Sequence, residues 1–270
     1  MRLAKMAMTT FFPPEARILI TGAAGNLGTK LRRHWEGKHR LAPVDIDPRG
    51  DPAIQRADLS QWDDVWPGWL VGIHTVVHLA ADPVAYRSWG ELVAPNLDAL
   101  TNLFLAAAQG GVKRIIYASS NHVMGGYAND ESVPRITTEL PPRPGTQYVA
   151  DGQPRDSTAY GAAKLFGERL GKTLAQAHGI SVIAVRLGWV YRGENRPEDL
   201  PAERGEWFRR MWLSNGDFCR LMDCCLTADP ELRFAVVHGM SQNDGMKWDL
   251  TSAKALVGYE PLDGVERDAL

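Results

Sequence analysis

The sequence predicts a doubly wound α/β fold, a parallel sheet with helices on both faces, followed by a small C-terminal lobe. Three observations predict it. Short apolar runs alternate with stretches of helical spacing along the chain. The first run, Ile18-Leu19-Ile20-Thr21, breaks into Gly22-Ala23-Ala24-Gly25-Asn26-Leu27-Gly28 and then resumes as a helix. The next run ends in an acid, Asp45, about twenty residues beyond the glycines.

Composition bounds the function. The 270 residues are 44 % hydrophobic with a formal net charge of -2, an ordinary balance for one large core or two unequal lobes. Neither a Lys/Arg stripe nor an apolar run of membrane-spanning length occurs, which argues against nucleic acid and membrane surfaces as partners. The cysteines, Cys219, Cys224 and Cys225, form no disulfide framework and have no metal-ligand spacing, so no metal and a reducing cytoplasm are expected. Residues 1–16 carry Arg2 and Lys5, but Thr9, Thr10, Pro13 and Pro14 interrupt any signal-like run, and they read as a loose leader.

Taken in order, the first strand, glycine turn and helix read as a Rossmann dinucleotide site. Gly22 permits the turn, Gly25 lets backbone approach a pyrophosphate, and Gly28 lets helix and strand pack, while the first helical residues, Asn26 and Leu27, present free N–H groups. The second strand, residues 40–45, brings Asp45 to the adenosine ribose. Its charge repels a 2′-phosphate, and Ile46 follows where an arginine would be needed to neutralise one, so NAD is expected over NADP. A short third strand over 54–59 ends in Asp58 and Leu59, beside the expected adenine. Trp62, Trp66 and Trp69 then repeat at helical spacing and predict a packing face. A fourth strand, residues 75–81, ends in Leu79, Ala80 and Ala81, side chains that leave room for a cofactor, and His78 within it reads as structural.

Residues 91–109 predict a continuous helix with an apolar stripe. Asn96, its polar exception, is assigned to the cofactor. The fifth strand, residues 114–118, leads into Ser119-Ser120-Asn121-His122, a polar cluster where open α/β sheets bind ligands. Residues 126–158, rich in Pro, Gly and charge, predict a long irregular loop over that face. A helix over 160–178 then sets Tyr160 and Lys164 one turn apart on one face, and residues 181–187 form the sixth strand. Beyond it the pattern predicts a polar loop, a helix over 207–212, another capped by Asp217, and a strand over 234–238. The expected organisation is a leader over 1–16, a dinucleotide-binding core over 17–187 and a substrate lobe over 188–270 that returns elements to the core.

Tyr160-x-x-x-Lys164 after a strand ending in Ser119-Ser120, with Gly22-x-x-Gly25-x-x-Gly28 before them and Asp45 between, resembles the extended short-chain dehydrogenase/reductase superfamily, home of the nucleotide-sugar epimerases and dehydratases. The resemblance implies hydride chemistry with Ser120, Tyr160 and Lys164 as catalytic residues. A tyrosine with a pKa near ~10 is a poor base at neutral pH, but a neighbouring ammonium and a cationic nicotinamide stabilise its phenolate. Tyr160 would take a substrate hydroxyl proton, Ser120 would hold the oxygen, and Lys164 would also bind the nicotinamide ribose. The superfamily's use of this helix and the one over 91–109 as a four-helix interface implies a homodimer.

A closer resemblance is to the uronate dehydrogenases, carried by Ala118-Ser119-Ser120-Asn121-His122 with Gly125, by Met211-Trp212-Leu213-Ser214, and by Ser241-Gln242-Asn243-Asp244 with Trp248-Asp249. It implies oxidation of the anomeric carbon of a sugar acid to a lactone, with Asn121 and His122 on the substrate. The short chain after the sixth strand also suits a free sugar better than a nucleotide sugar. Departures fall in the substrate pocket: Pro83 and Trp189 replace expected serines, Leu256 an aromatic, and the register of the carboxylate-binding arginine holds Trp207, leaving Arg209 and Arg210 as substitutes. Two alternatives remain open on sequence: a nucleotide-sugar epimerase or dehydratase that retains NAD, and a non-catalytic NAD-binding regulator.

Overall fold

The computed structural model describes residues 12, 13 and 15–266, so the leader expected over residues 1–16 lies mostly outside the described residues. Within that stretch Phe12 is buried, edge-on to His39 and His74. The described chain builds a seven-stranded sheet from β1 (Arg17–Thr21), β2 (Arg40–Asp45), β3 (Gln55–Arg56), β4 (Ile73–His78), β5 (Arg114–Ser120), β8 (Ser181–Leu187) and β9 (Phe234–Gly239). An antiparallel hairpin, β6 (Gln147–Ala150) with β7 (Gln153–Asp156), stands apart from it.

The sheet order is β3-β2-β1-β4-β5-β8-β9, and every pairing in it is parallel. The order reverses between β1 and β4, and the crevice at the strand ends there is where doubly wound sheets take ligands. A parallel sheet is covered on both faces, which is why all seven residues of β5 and of β8 are buried. Ile18 and Ile20 of β1 point to one face, with Leu31 and Trp35 of α1 (Asn26–Trp35) and Phe218 and Leu221 of α6 (Asn215–Thr227). Leu19 points to the other, with Leu100, Leu103 and Phe104 of α3 (Ala99–Gln109) and Leu174 of α4 (Thr158–His178). Strand β9, from the expected C-terminal lobe, completes this same sheet beside β8.

Several local expectations differ from the fold. The helix expected over 91–109 is interrupted: α2 (Trp89–Leu92) widens into a π-turn, Val93–Asp98, before α3 begins. Pro95 supplies the cause, since it has no N–H to donate and its ring crowds the carbonyl four residues earlier. The tryptophan face does not form either. Only Trp66–Leu70 turns, as a 3-10 helix started by Asp63, whose Oδ1 accepts the N–H groups of Val65 and Trp66 at 2.7 and 2.9 Å. Trp62 is left 46 % exposed while Trp66 is buried. The third strand shortens to Gln55–Arg56, and β4 stops at His78, before Leu79.

The segment expected to be irregular contains the β6–β7 hairpin. Asp151 and Gly152 both have positive φ, 54° and 66°, the backbone of a two-residue turn whose twist matches its strands. The cap of α6 is Ser214, whose Oγ accepts the Asp217 N–H at 2.8 Å. The Asp217 carboxylate accepts instead from Ser241 Oγ and from the N–H groups of Leu262 and Asp263, fastening the C-terminal segment to α6. Two short helices remain, α5 (Gly205–Arg210) and α7 (Thr251–Val257).

Candidate active site

The glycine turn is tight at Gly22 and Gly28. Gly22 has φ +68°, and a Cβ there would sit 2.7 Å from the Ala80 nitrogen, so this turn is pressed against the end of β4. A Cβ on Gly28 would lie 2.1 Å from the Gly22 carbonyl oxygen. Gly25, by contrast, meets only the Gly22 oxygen at 3.1 Å, and no side chain caps α1 beyond it. The uncapped helix end and the bare backbone over Gly25 fit a pyrophosphate, which accepts from such N–H groups.

Asp45 stands beside this turn. Its Oδ2 accepts the Ala24 N–H at 2.8 Å and its Oδ1 that of Asp47 at 3.0 Å, so the acid expected at the ribose also braces the glycine loop. Ile46 is 58 % exposed next to it. Asp58 binds Ser60 through its N–H and hydroxyl, and buried Leu59 offers its carbonyl to Asn102. Leu79, Ala80 and Ala81 lie half-buried past the end of β4.

Two polar residues assigned to the cofactor have protein partners. Asn26 Nδ2 donates to the carbonyls of Val190 and Tyr191, and its Oδ1 accepts from Lys30, which also donates to Tyr191. Asn26 thereby ties α1 to the loop after β8. Asn96, buried in the π-turn, holds Asp82 through both backbone groups: Oδ1 accepts its N–H at 2.7 Å and Nδ2 donates to its carbonyl at 3.2 Å. It thereby positions the loop after β4.

The Ser120, Tyr160 and Lys164 side chains converge across β5 and α4. Gly161 makes the approach possible, since a Cβ there would lie 2.4 Å from the His122 carbonyl oxygen; Gly167 does the same against the Tyr117 ring. Lys164 Nζ donates to the Ala118 carbonyl at 2.9 Å and lies 5.6 Å from the Tyr160 ring centre. Burial pushes its ammonium down to about 8. Burial raises the Tyr160 phenol above its ordinary value, with the charge of Asp82 adding to the rise, while a hydrogen bond with Ser120 works the other way. Ser120 Oγ also accepts the His122 N–H at 3.2 Å. The phenol of the protein by itself is thus held neutral, and an added positive charge is what would make it a base.

Around Tyr160 lies a cluster of rings drawn from distant stretches. His122 is edge-on to Tyr160 at 5.6 Å and tilted against Phe208 and Tyr148 at 6.0 and 6.1 Å. Trp189 closes it, edge-on to Phe208 at 5.3 Å. His122 Nδ1 and Asn121 Oδ1 are buried without hydrogen-bond partners, although Asn121 Nδ2 donates to the Leu187 carbonyl. Two unpartnered polar atoms at the end of a central strand are what a hydroxylated ligand would satisfy.

The cation against this cluster is Arg204. Its guanidinium carbon lies 5.1 Å from the Tyr148 ring centre and 5.8 Å from that of Phe208, and its Nε is buried without a partner. Burial lowers the His122 imidazole to about 4, with the positive charge of Arg204 as the second cause. Arg209 and Arg210 line a cavity of about 20 Å³ with Glu206, Asn243 and Glu266, and Arg210 pairs with Glu206 at 3.5 Å. Arg204 went unseen in the sequence because it sits on a three-residue turn, Ala202–Arg204, with no periodicity to flag it. Its neighbour Glu203 accepts the N–H groups of Asp151 and Gly152 at 3.1 and 3.2 Å, clamping the hairpin that carries Tyr148. The other side of the hairpin meets the loop after β4, where Tyr86 donates to Asp151 and lies under Arg155.

Known proteins resemble this chain over most of its length. The model of the NAD dependent epimerase/dehydratase family matches residues 18–229. An NAD-dependent glucose-6-phosphate dehydrogenase of Haloferax volcanii is 32 % identical over 91 % of this chain and 93 % of that protein. A uronate dehydrogenase of Pseudomonas putida is 32 % identical over 96 % of this chain and 88 % of its own length. Among solved structures, a glucuronic acid dehydrogenase from Chromohalobacter salexigens superposes with a TM-score of 0.75 at 31 % identity, covering 92 % of this chain and 85 % of that one.

Proposed function

The chain belongs to the NAD dependent epimerase/dehydratase family, and from that premise we propose that it is an NAD-dependent dehydrogenase that oxidises the anomeric hydroxyl of a small sugar or sugar acid to a lactone. The observation that carries this reading is the convergence of Ser120, Tyr160 and Lys164 beside the unpartnered Nδ1 of His122. Relatives that share about a third of the sequence over nearly the whole chain act, by their names, on glucose 6-phosphate and on uronates.

Gly22, Gly25, Gly28 and the first turn of α1 would hold the pyrophosphate of NAD, Asp45 the adenosine ribose and Lys164 the nicotinamide ribose. NAD, when bound there, would supply the hydride acceptor for the carbon that bears the reacting hydroxyl. Tyr160 takes the hydroxyl proton on its phenolate oxygen, with the Lys164 ammonium stabilising that phenolate. Ser120 donates to the substrate oxygen and holds it in line. The rings of Tyr148, Trp189 and Phe208 exclude water and offer flat faces to the C–H side of a sugar, while Asn121 and His122 take its hydroxyls.

The finer features follow from the same reading. Leu105 on α3 and Phe166 on α4 are 42 % and 38 % exposed, apolar side chains on the two helices that would pair in a homodimer. No helix among the described residues is long and apolar enough to cross a membrane. The free thiols of Cys219, Cys224 and Cys225 suit a reducing cytoplasm.

The experiment is a panel of uronic acids, aldose 6-phosphates, neutral aldoses and nucleotide sugars, each followed by NADH absorbance. Stoichiometric NADH from one free sugar class supports the dehydrogenase. Turnover of a nucleotide sugar with no net NADH, and none from any free sugar, overturns it.

A further inference from the structure

Beyond the catalytic cluster, α4, β8, β9 and the segment over 138–142 enclose a cavity of about 380 Å³, a volume in the range of small-molecule sites. It lies past Lys164 along α4 and outside both the glycine turn and the rings around Tyr160. Its buried end holds Arg186 of β8, only 2 % exposed, and its outer rim carries the exposed Arg169 and Lys172 of α4. Phe234 and Val236 of β9 supply an apolar wall.

The charges around this cavity are unbalanced. Arg186 binds Glu168 in a two-pronged pair, Nε to Oε1 and Nη2 to Oε2, each at 2.8 Å, and that pair neutralises itself. Its Nη1 is buried and has no partner. No carboxylate among the described residues pairs with Arg169 or Lys172. The opposing charge at the rim is Glu139, whose carboxylate is held low by the Thr138 hydroxyl at 2.9 Å. Two rim cations against one rim anion leave a net positive site, and the Arg186 guanidinium that lines it keeps one N–H without a partner. A buried cationic donor without an acceptor is costly, and an oxyanion is the ligand that would relieve it.

We propose that this cavity binds a small oxyanion, a phosphate or a carboxylate, with Arg186 as its buried contact and Arg169 and Lys172 as its rim. The site reaches the catalytic strand through one residue. Glu168 accepts the Ser119 hydroxyl at 2.6 Å, and Ser119 precedes Ser120. The proposal is independent of which sugar the enzyme oxidises.

The test titrates inorganic phosphate and, separately, citrate into the full-length chain by calorimetry, with and without saturating NAD. The expected result is saturable binding of one anion per chain that persists with NAD and weakens about tenfold or more in the R169M/K172M double variant. Both substitutions are on the exposed side of α4, and unchanged NAD affinity in the variant shows that the fold is intact. Tighter phosphate identifies a phosphate site, and tighter citrate a carboxylate site. The proposal is overturned if neither anion saturates by about 10 mM, the weak end of specific affinity. It is equally overturned if NAD displaces the anion or if the double variant binds it as the native chain does.

Discussion

The imidazole of His122 stands edge-on to the phenol of Tyr160, 5.6 Å between ring centres with the planes at 90°, and its Nδ1 has no hydrogen-bond partner. Burial and the charge of Arg204 lower this histidine to about 4, so it is neutral at pH 7 and offers one ring nitrogen to a ligand without carrying charge. A ring of similar shape without nitrogens should keep the packing and lose the hydrogen bond. His122→Phe is therefore expected to raise KM for the sugar about tenfold while NAD affinity, read by fluorescence titration, stays within about twofold. A loss confined to NAD affinity would remove His122 from the substrate side.

Tyr160→Phe deletes the proton acceptor and leaves the ring beside His122. Turnover should fall about a thousandfold, the range of a positioned general base, with NAD affinity changed only a few fold. Single-turnover NADH formation measures it, and near-native rates would show that another group takes the proton.

Asp45 braces Ala24 in this structure, the proposed function gives it the ribose as well, and two variants separate the two tasks. Asp45→Asn keeps a side-chain oxygen for the Ala24 N–H but removes the charge that repels a 2′-phosphate. It should narrow the preference for NAD over NADP by about tenfold, whereas Asp45→Ala should weaken both cofactors through the loosened glycine turn. An Asn variant that discriminates as the native protein does would place the selectivity elsewhere.

Arg204 is the guanidinium packed on the rings around Tyr160, and under the proposed function it is the group expected to discriminate charged sugars from neutral ones. Arg204→Met keeps much of the stacked stem. KM for a uronate or a sugar 6-phosphate should rise about tenfold or more, with neutral aldoses changed by less than about threefold. Equal effects on both classes would mean that Arg204 serves only the packing of Tyr148 and Phe208.

Buried histidines make the fold sensitive to acid. Burial lowers His78 and His238 to about 3 and His122 to about 4. The unfolded chain takes up protons near pH 6.5 while the folded chain refuses them until far lower, so the unfolded state binds more protons throughout that interval. Stability should accordingly fall as pH drops from about 7 toward 4. Urea denaturation at pH 7 and pH 5 measures the slope, and His78→Phe, which keeps a ring between Phe104 and Tyr117, should flatten it. A stability that is flat or rises over this interval would contradict the assignment.

Much of the framework was legible because it is written locally. Residues 181–187 form a strand over the predicted span, and the glycine turn and the Tyr160–Lys164 spacing carry their meaning within a few residues. Where a local conflict intervened, the reading failed: Pro95 broke a helix whose apolar stripe ran on regardless, and Asp63 captured the backbone ahead of Trp66. The Asp151-Gly152 pair was a readable hairpin signal inside a stretch whose bulk composition suggested none.

The sequence by itself determined the doubly wound sheet, the glycine turn with its acid and the one-turn spacing of Tyr160 and Lys164, because strand alternation, turn stereochemistry and helical spacing act over a few residues. Only the tertiary structure decided that Arg204 meets the rings around Tyr160, and that Asn96 and Asn26 bond to neighbouring groups of the protein. The physical reason is that a long flexible cation is placed by the surfaces it stacks on. Here those surfaces come from Tyr148 on a hairpin and Phe208 on α5, which are brought together only when the chain has packed.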